Sequence, residues 1–352
     1  GSRIYPPHLA IAAHSNAMCC CGNSSNVPEL PPEKSTTIRP ASRDCELWND
    51  TYWSRLRKDS GVPDDFLNEG WDYNDLRKGG GKGGTLMAFL GGYIVKEMSE
   101  GDHKTLLDVT QSYVEHLTTA SSRICRILLH YKDVGTGRKF FVMRNEIGDR
   151  PPKGFHALYD LKGCADDKTL ELDGKEIEAI HKRVWNCGMW CGRCFWTEKR
   201  ALYYKGKQDA YNMEIAMSET QRSQLLQQLA YDTDWFARNN LMDYSLLVAI
   251  RDKRPEDKDI ACISIPGPGN DGAELFLVIS VIDFLQKWSC GKRCARCIKF
   301  MECNKATIPP GSYGKRFLRH FEDCFKVTDA VPASAPIGKE ALDLKHQENR
   351  RE

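Results

Sequence analysis

The chain has 352 residues, with 41% hydrophobic and 10% aromatic residues. That is enough apolar material for a sizeable core, so wholesale disorder is excluded, as are collagen-like and coiled-coil compositions. Its 50 Lys and Arg face 48 Asp and Glu, a net charge of +2, which argues against nucleic-acid binding driven by bulk charge. No stretch reaches the ~18 apolar residues of a membrane helix. The best run, residues 275–285, is short and contains Asp283. The chain starts Gly1-Ser2 and shows no basic-then-apolar leader pattern. Fifteen cysteines, an odd number without a visible leader, suit a reducing compartment and mostly free thiols.

Residues 1–44 are rich in Pro, Ser, Asn and Ala and read as a flexible tail. Residues 46–61 carry Leu47, Trp48, Trp53 and Leu56 at helical spacing. A basic, turn-rich segment follows, ending in Gly79-Gly80-Gly81-Lys82-Gly83-Gly84. Two strand-like runs, 85–90 and 93–98, flank the hairpin signal Gly91-Gly92. Residues 102–117 read as a helix, 124–131 and 139–144 as strands, and 157–161 as a short strand. The segment 165–205 is irregular, with a Cys/Trp-rich island at 185–196. A strong helix is expected over 219–239, strands over 244–250 and 275–282 with a polar loop between them, and a helix over 313–325. Residues 328–352 are polar and read as a second tail.

Four features bear on chemistry. The glycine cluster 79–84 would let backbone N–H groups approach phosphates, with Lys82 adding charge. It is not a Walker A loop, because Lys82 is followed by Gly83 rather than Ser or Thr, and an ordinary surface loop is the plain alternative. Lys96 ends an apolar strand about a dozen residues on, where nucleotide kinases place a phosphate-neutralising lysine. Asp243 precedes a buried strand, and Asp283 follows a very apolar one. A charge beside so much apolar surface needs a cation or hydrogen bonds, supplied by a metal or, more simply, by a helix cap or salt bridge.

Together these features resemble the phosphatidylinositol phosphate kinases. The family marker Asp-Leu-Lys-Gly-Ser-x-x-x-Arg is similar to Asp160-Leu161-Lys162-Gly163-Cys164-Ala165-Asp166-Asp167-Lys168. Met242-Asp243-Tyr244-Ser245-Leu246-Leu247 matches a second marker in full, Val281-Ile282-Asp283 resembles Ile-Ile-Asp, and Pro310-Gly311-Ser312-Tyr313-Gly314-Lys315-Arg316-Phe317 matches the closing marker. The resemblance implies an α+β, two-lobed kinase fold with antiparallel sheets, distantly protein-kinase-like. The catalytic domain would span 45–327, as an N-lobe of about 45–150 and a C-lobe of about 151–327. It implies an enzyme, a phosphotransferase that moves the γ-phosphate of ATP, with Mg²⁺, to an inositol hydroxyl of a phosphatidylinositol monophosphate. Lys96, with Gly81, Lys82, Gly83 and Gly84, would hold ATP. Asp243 would orient the hydroxyl or accept its proton, and Asp283 would hold Mg²⁺. Lys162 and Lys168 would face the phosphorylated headgroup.

The stretch 287–300 lacks acids and carries Lys287, Lys292, Arg293, Arg296 and Lys299 beside Trp288, Ile298 and Phe300. It fits a membrane-facing activation loop that binds an anionic, phosphoinositide-bearing bilayer, Lys292 and Arg293 included. The resemblance thus implies a cytoplasmic protein, peripheral on cytosolic membrane faces, homodimeric through the N-lobe as in the first two family types, with no nucleic-acid partner. Departures are Cys164 for Ser, Lys168 for Arg (a point charge for a bidentate fork), and Asp102 where a Glu partner of Lys96 is expected, with Glu100 nearby. Ala295 suits a 5-phosphate 4-kinase and the glycine loop a 3-phosphate 5-kinase. The 4-phosphate 5-kinase is chosen as the commonest activity, and a phosphoinositide-binding module with little turnover is the alternative. Cys187, Cys191 and Cys194 share their spacing with Cys290, Cys294 and Cys297. Such spacing suits an iron–sulfur cluster or zinc, but free thiols are the preferred reading.

Overall fold

The structure, a computed structural model, describes residues 31–78, 85–180, 197–252, 262–266, 274–289, 292 and 306–327. Seventeen strands are assigned among these residues, most of them in two antiparallel sheets.

The first sheet takes β1 (Glu33–Lys34), β2 (Cys45–Leu47), β3 (Arg77–Lys78), β4 (Leu86–Leu90), β5 (Tyr93–Glu97), β6 (Ile127–Asp133) and β7 (Lys139–Arg144) in the order β1-β2-β6-β7-β5-β4-β3. Its alternation works as strand periodicity requires. Leu129, Tyr131, Phe140 and Val142 join one core cluster and Phe141 another; Ile127 joins the second as well, where a register shift between Ile127 and Leu129 breaks the alternation. Helices α1 (Asp50–Asp59) and α2 (Glu100–Thr119) supply Trp53, Leu56, Leu106, Val109 and Tyr113 to the second cluster. Each such fully buried side chain contributes roughly 1.5–3 kcal/mol over leaving it exposed. Arg57 of α1 is itself fully buried. Asp50 and Asp64 each approach it at 2.8 Å, and the Leu128 carbonyl accepts at 3.0 Å, so the buried charge is paired.

The helix expected over 46–61 therefore starts later. Residues 45–47 pair with β6 as a strand, and Trp48 fills a buried site between His103 and His130. The expected N-terminal tail also ends earlier: β1 pairs with β2 and Ile38 is buried, whereas residues 1–30 lie outside the described residues. The hairpin at Gly91-Gly92 is present between β4 and β5.

The second sheet takes β8 (Ala157–Leu161), β9 (Lys168–Leu172), β10 (Lys175–Glu176), β13 (Ser245–Asp252), β14 (Cys262–Pro266) and β15 (Glu274–Ile282) in the order β10-β9-β8-β13-β15-β14. Two small pairs complete the strands: β11 (Ile215–Met217) parallel to β17 (Phe325–Val327), and β12 (Leu241–Met242) antiparallel to β16 (Gln286–Lys287). Helices α3 (Glu198–Tyr211), α4 (Glu219–Arg238) and α5 (Pro310–Cys324) accompany this sheet. Helix α4 begins in a capping box between Ser218 and Gln221, which satisfies two otherwise unpaired N–H groups. Strands β9 and β14 and helix α3 fall where irregular chain or a loop is expected from the sequence. No helix among the described residues is long and apolar enough to cross a membrane.

Candidate active site

The central strands of the second sheet bring three motifs to one end. Strand β13 pairs antiparallel with both β8 and β15, with Leu246 opposite Leu161 on one side and Val281 on the other. Hence the residue after β8, Lys162, the residue two before β13, Asp243, and the residue after β15, Asp283, lie at the same edge. Both aspartates have left-handed backbone, Asp243 at φ 67° and Asp283 at φ 56°, a conformation that costs most residues energy and that clusters at functional sites.

Packing around them fixes these turns. Phe284 is buried against Tyr113 and Phe236, each with ring centroids 5.6 Å away. Tyr244 stacks on Phe236 at 4.2 Å, and its carbonyl accepts a hydrogen bond from the Tyr313 hydroxyl of α5. Each aspartate is thus followed by an aromatic ring anchored in the core.

Two lysine–aspartate pairs form the site. Lys96 Nζ, from β5 of the first sheet, lies 2.6 Å from Asp283 Oδ1. Lys162 Nζ lies 2.6 Å from Asp243 Oδ1 and 2.5 Å from the Asp243 carbonyl. Burial alone would lower the Lys96 ammonium, but the Asp283 carboxylate offsets this and holds it above its ordinary value. Lys162 behaves likewise, with burial opposed by Asp243 and Asp160. Lys168 Nζ donates to Asp160 Oδ2 at 2.7 Å. Burial would raise Asp160, yet Lys168 and Lys162 hold it below its ordinary value. Lys96, Lys162, Lys168 and Asp160 therefore stay charged at neutral pH.

The comparison with known families reads the same stretch of chain. A family model described as Phosphatidylinositol-4-phosphate 5-Kinase matches residues 78–265 and 254–324, most of the chain and every one of these side chains. The chain belongs to the phosphatidylinositol-4-phosphate 5-kinase family. Among curated relatives, a phosphatidylinositol 4-phosphate 5-kinase of Schizosaccharomyces pombe is 28% identical over 184 residues, covering 51% of this chain and 22% of that protein. A probable phosphatidylinositol phosphate kinase of Dictyostelium discoideum is 26% identical over 176 residues, 48% of this chain and 21% of the relative. A phosphatidylinositol 4-phosphate 5-kinase of Plasmodium falciparum is 24% identical over 287 residues, 70% of this chain and 15% of the relative. The chain thus spans about a fifth of the length of the curated relatives it matches.

In this member of the phosphatidylinositol-4-phosphate 5-kinase family, Lys96, Asp283, Lys162 and Asp243 come together. Lys168 stands one step back, on Asp160. Gly81, Lys82, Gly83, Gly84 and Arg293 lie outside the described residues, as do both cysteine triplets. Lys292 is half-buried. Lys287, expected to face a bilayer, pairs instead with Asp108 of α2.

Neither acid at the start of α2 pairs with Lys96. Asp102 accepts from the Ser99 hydroxyl at 2.8 Å within the α2 cap, and Glu100 pairs with Lys139 at 2.8 Å. Asp102 still raises Lys96 through space, but the direct partner is Asp283. The sequence does not single out Asp167, yet it accepts from the backbone N–H of Lys162. Its signal was weak: an acid in a charged turn, one of two in succession.

Proposed function

We propose that this chain is an ATP-dependent, Mg²⁺-requiring lipid kinase that phosphorylates an inositol hydroxyl of a phosphatidylinositol monophosphate. The observation carrying this reading is the double pair Lys96–Asp283 and Lys162–Asp243, each closed at 2.6 Å and meeting at one sheet edge. The names of the relatives favour phosphatidylinositol 4-phosphate as acceptor and the 4,5-bisphosphate as product. The first sheet with α1 and α2 would be the N-lobe, the second sheet with α3 to α5 the C-lobe, and the cleft between them the nucleotide site.

Asp283 suits Mg²⁺. It is half exposed, and its one hydrogen bond among the described residues is to Oδ1, from Lys96, which leaves a hard carboxylate oxygen for a divalent cation. No cluster of three or more acidic, His or Cys side chains is poised for a metal among the described residues. Mg²⁺ is typically held by one or two carboxylates with phosphates and water, and Asp283 would be one of them. Bound there, the ion would neutralise charge on the transferred phosphoryl group.

The remaining roles follow from charge and reach. Lys96 holds phosphate oxygens of ATP, with the glycine segment 79–84 as a backbone cradle. Asp243 orients the attacking hydroxyl and receives its proton. Lys162 holds Asp243 in place and adds positive charge where the reaction develops negative charge. Lys168, Lys292 and Arg293 would supply positive charge to the headgroup and the anionic bilayer. The protein would act as a peripheral enzyme on a cytosolic membrane face.

The test is labelled-ATP phosphoryl transfer to vesicles carrying each phosphatidylinositol monophosphate separately, with Asp243→Asn and Asp283→Asn alongside. Transfer abolished by both substitutions supports the reading and names the isomer. Vesicle binding without transfer by a folded wild-type protein would turn it toward a binding module.

A further inference from the structure

The turn that carries Lys162 is held from behind by a carboxylate at a position the first family marker leaves unspecified. Asp167 is fully buried. Its Oδ1 accepts from Lys162 N at 2.5 Å and from Cys164 N at 3.2 Å, and its own N–H donates to the Cys164 carbonyl at 3.0 Å. Its carbonyl accepts from Lys207 Nζ of α3 at 3.1 Å. Its Oδ2 has no hydrogen-bond partner among the described residues and faces His320 Nε2 of α5 at 3.6 Å. His320 also backs the turn directly: Gly163 sits at φ +65°, and a Cβ there would lie 3.1 Å from His320 Cβ.

A buried carboxylate with an unfilled oxygen is costly. This one spends its filled oxygen on the two backbone N–H groups that shape the lysine turn. Lys162 in turn grips Asp243 through both a carboxylate oxygen and the carbonyl. The order of contact is therefore α5 to Asp167, Asp167 to the Lys162 backbone, and the Lys162 ammonium to Asp243.

We infer that Asp167, backed by His320, is a positioning residue: it sets the Lys162 backbone so that the ammonium reaches Asp243 and holds the acceptor-side carboxylate in register. Its catalytic consequence rests on the kinase reading above, whereas its structural consequence does not. Asp167 does not touch the reacting atoms. It acts through Lys162.

The experiment measures two quantities on the full chain. Reductive methylation of Lys162 with formaldehyde, read by mass spectrometry, reports whether its ammonium is held. Steady-state transfer reports kcat and KM separately. Asp167→Ala is expected to raise Lys162 labelling about tenfold and to lower kcat by about 10²-fold with KM for ATP unchanged, since a misplacement of about 1 Å carries that cost. Asp167→Asn keeps an acceptor oxygen for both N–H groups, so it should restore both readouts to near wild type. His320→Ala should raise labelling more modestly, and it decides the matter if Asp167→Ala does not fold. Unchanged Lys162 labelling in a folded Asp167→Ala protein, or in folded His320→Ala where the former is unfolded, overturns the inference. If wild type shows no transfer at all, the kinase reading fails, and the labelling comparison still tests the positioning role.

Discussion

Asp243 and Asp283 flank the paired residues Ser245 and Ile282 on neighbouring antiparallel strands, and both hold left-handed backbone. Each turns its carboxylate off the end of the sheet, where a lysine from a different segment meets it. The two acids are therefore placed by one structural device used twice: a strand end, a left-handed aspartate, and a buried aromatic residue immediately after.

That device predicts a ranking of substitutions. At Asp283, Ala keeps the strained φ without the carboxylate, whereas Gly adopts it freely. Asp283→Gly should be more stable than Asp283→Ala by about 1 kcal/mol, measured by urea unfolding. Equal stabilities would show that the packed Phe284, and not backbone strain, sets the cost of this turn.

Both lysine–aspartate pairs should matter to transfer more than to folding. Lys96→Met and Asp283→Asn are each expected to reduce kcat by about 10²–10³-fold, the usual cost of removing one preorganised charge. The double variant should fall well short of the product of the two losses, because the residues act as a unit. Thermal melts of all three should stay close to wild type, since both side chains are partly exposed. A fully multiplicative loss would argue against a shared role.

Burial pushes the Asp167 carboxyl up to about 6, from an ordinary 3.8. The N–H groups of Lys162 and Cys164 and the Lys207 ammonium oppose the shift, and Asp160 adds to it. With the folded value above the unfolded one, the protonated form favours the fold. The associated stability is present below pH 3.8 and is lost as pH rises through about 6. Asp167→Asn should therefore stabilise the chain by about 2–3 kcal/mol at pH 8, and the gain should fade by pH 4. Urea midpoints across that range measure it.

The buried pair His103–His130, with ring nitrogens 3.0 Å apart, predicts the opposite slope. Burial, and then His103, hold His130 well below its ordinary value of 6.5. Its neutral form belongs to the fold, so its contribution is present above pH 6.5 and is lost as pH falls below it. His130→Gln should flatten the decline in stability between pH 6.5 and 5 relative to wild type, by the same urea measurement.

The sequence carried the strands with strong alternation and the acids at their ends, because apolar periodicity and a charge beside it are local signals. It did not carry α3, whose buried positions are only Gly206 and Ala210, so no apolar stripe marks it. Strand β9 was inverted. Thr169 and Glu171 face inward while Lys168, Leu170 and Leu172 are only half-buried, so the apolar residues point to the wrong face. Glu171 is tolerated there because Phe155 N donates to it at 2.7 Å and Arg150 at 3.0 Å. Among the site residues, Lys96, Asp243 and Asp283 were legible from their strands. Which lysine meets which aspartate was not, because pairing across distant segments is set by sheet register.

Backbone hydrogen bonds also join the two sheets. Ile124, just before β6, bridges in parallel to Val281 of β15, with Cys125 N donating to the Val281 carbonyl at 2.9 Å and Val281 N to the Arg123 carbonyl at 2.6 Å. These partners are far apart in the chain, whereas the hairpins on either side are local. Closing so large a loop is entropically expensive until both sheets exist. The charged pair Lys96–Asp283 spans the same seam, so its geometry depends on both sheets being formed and docked.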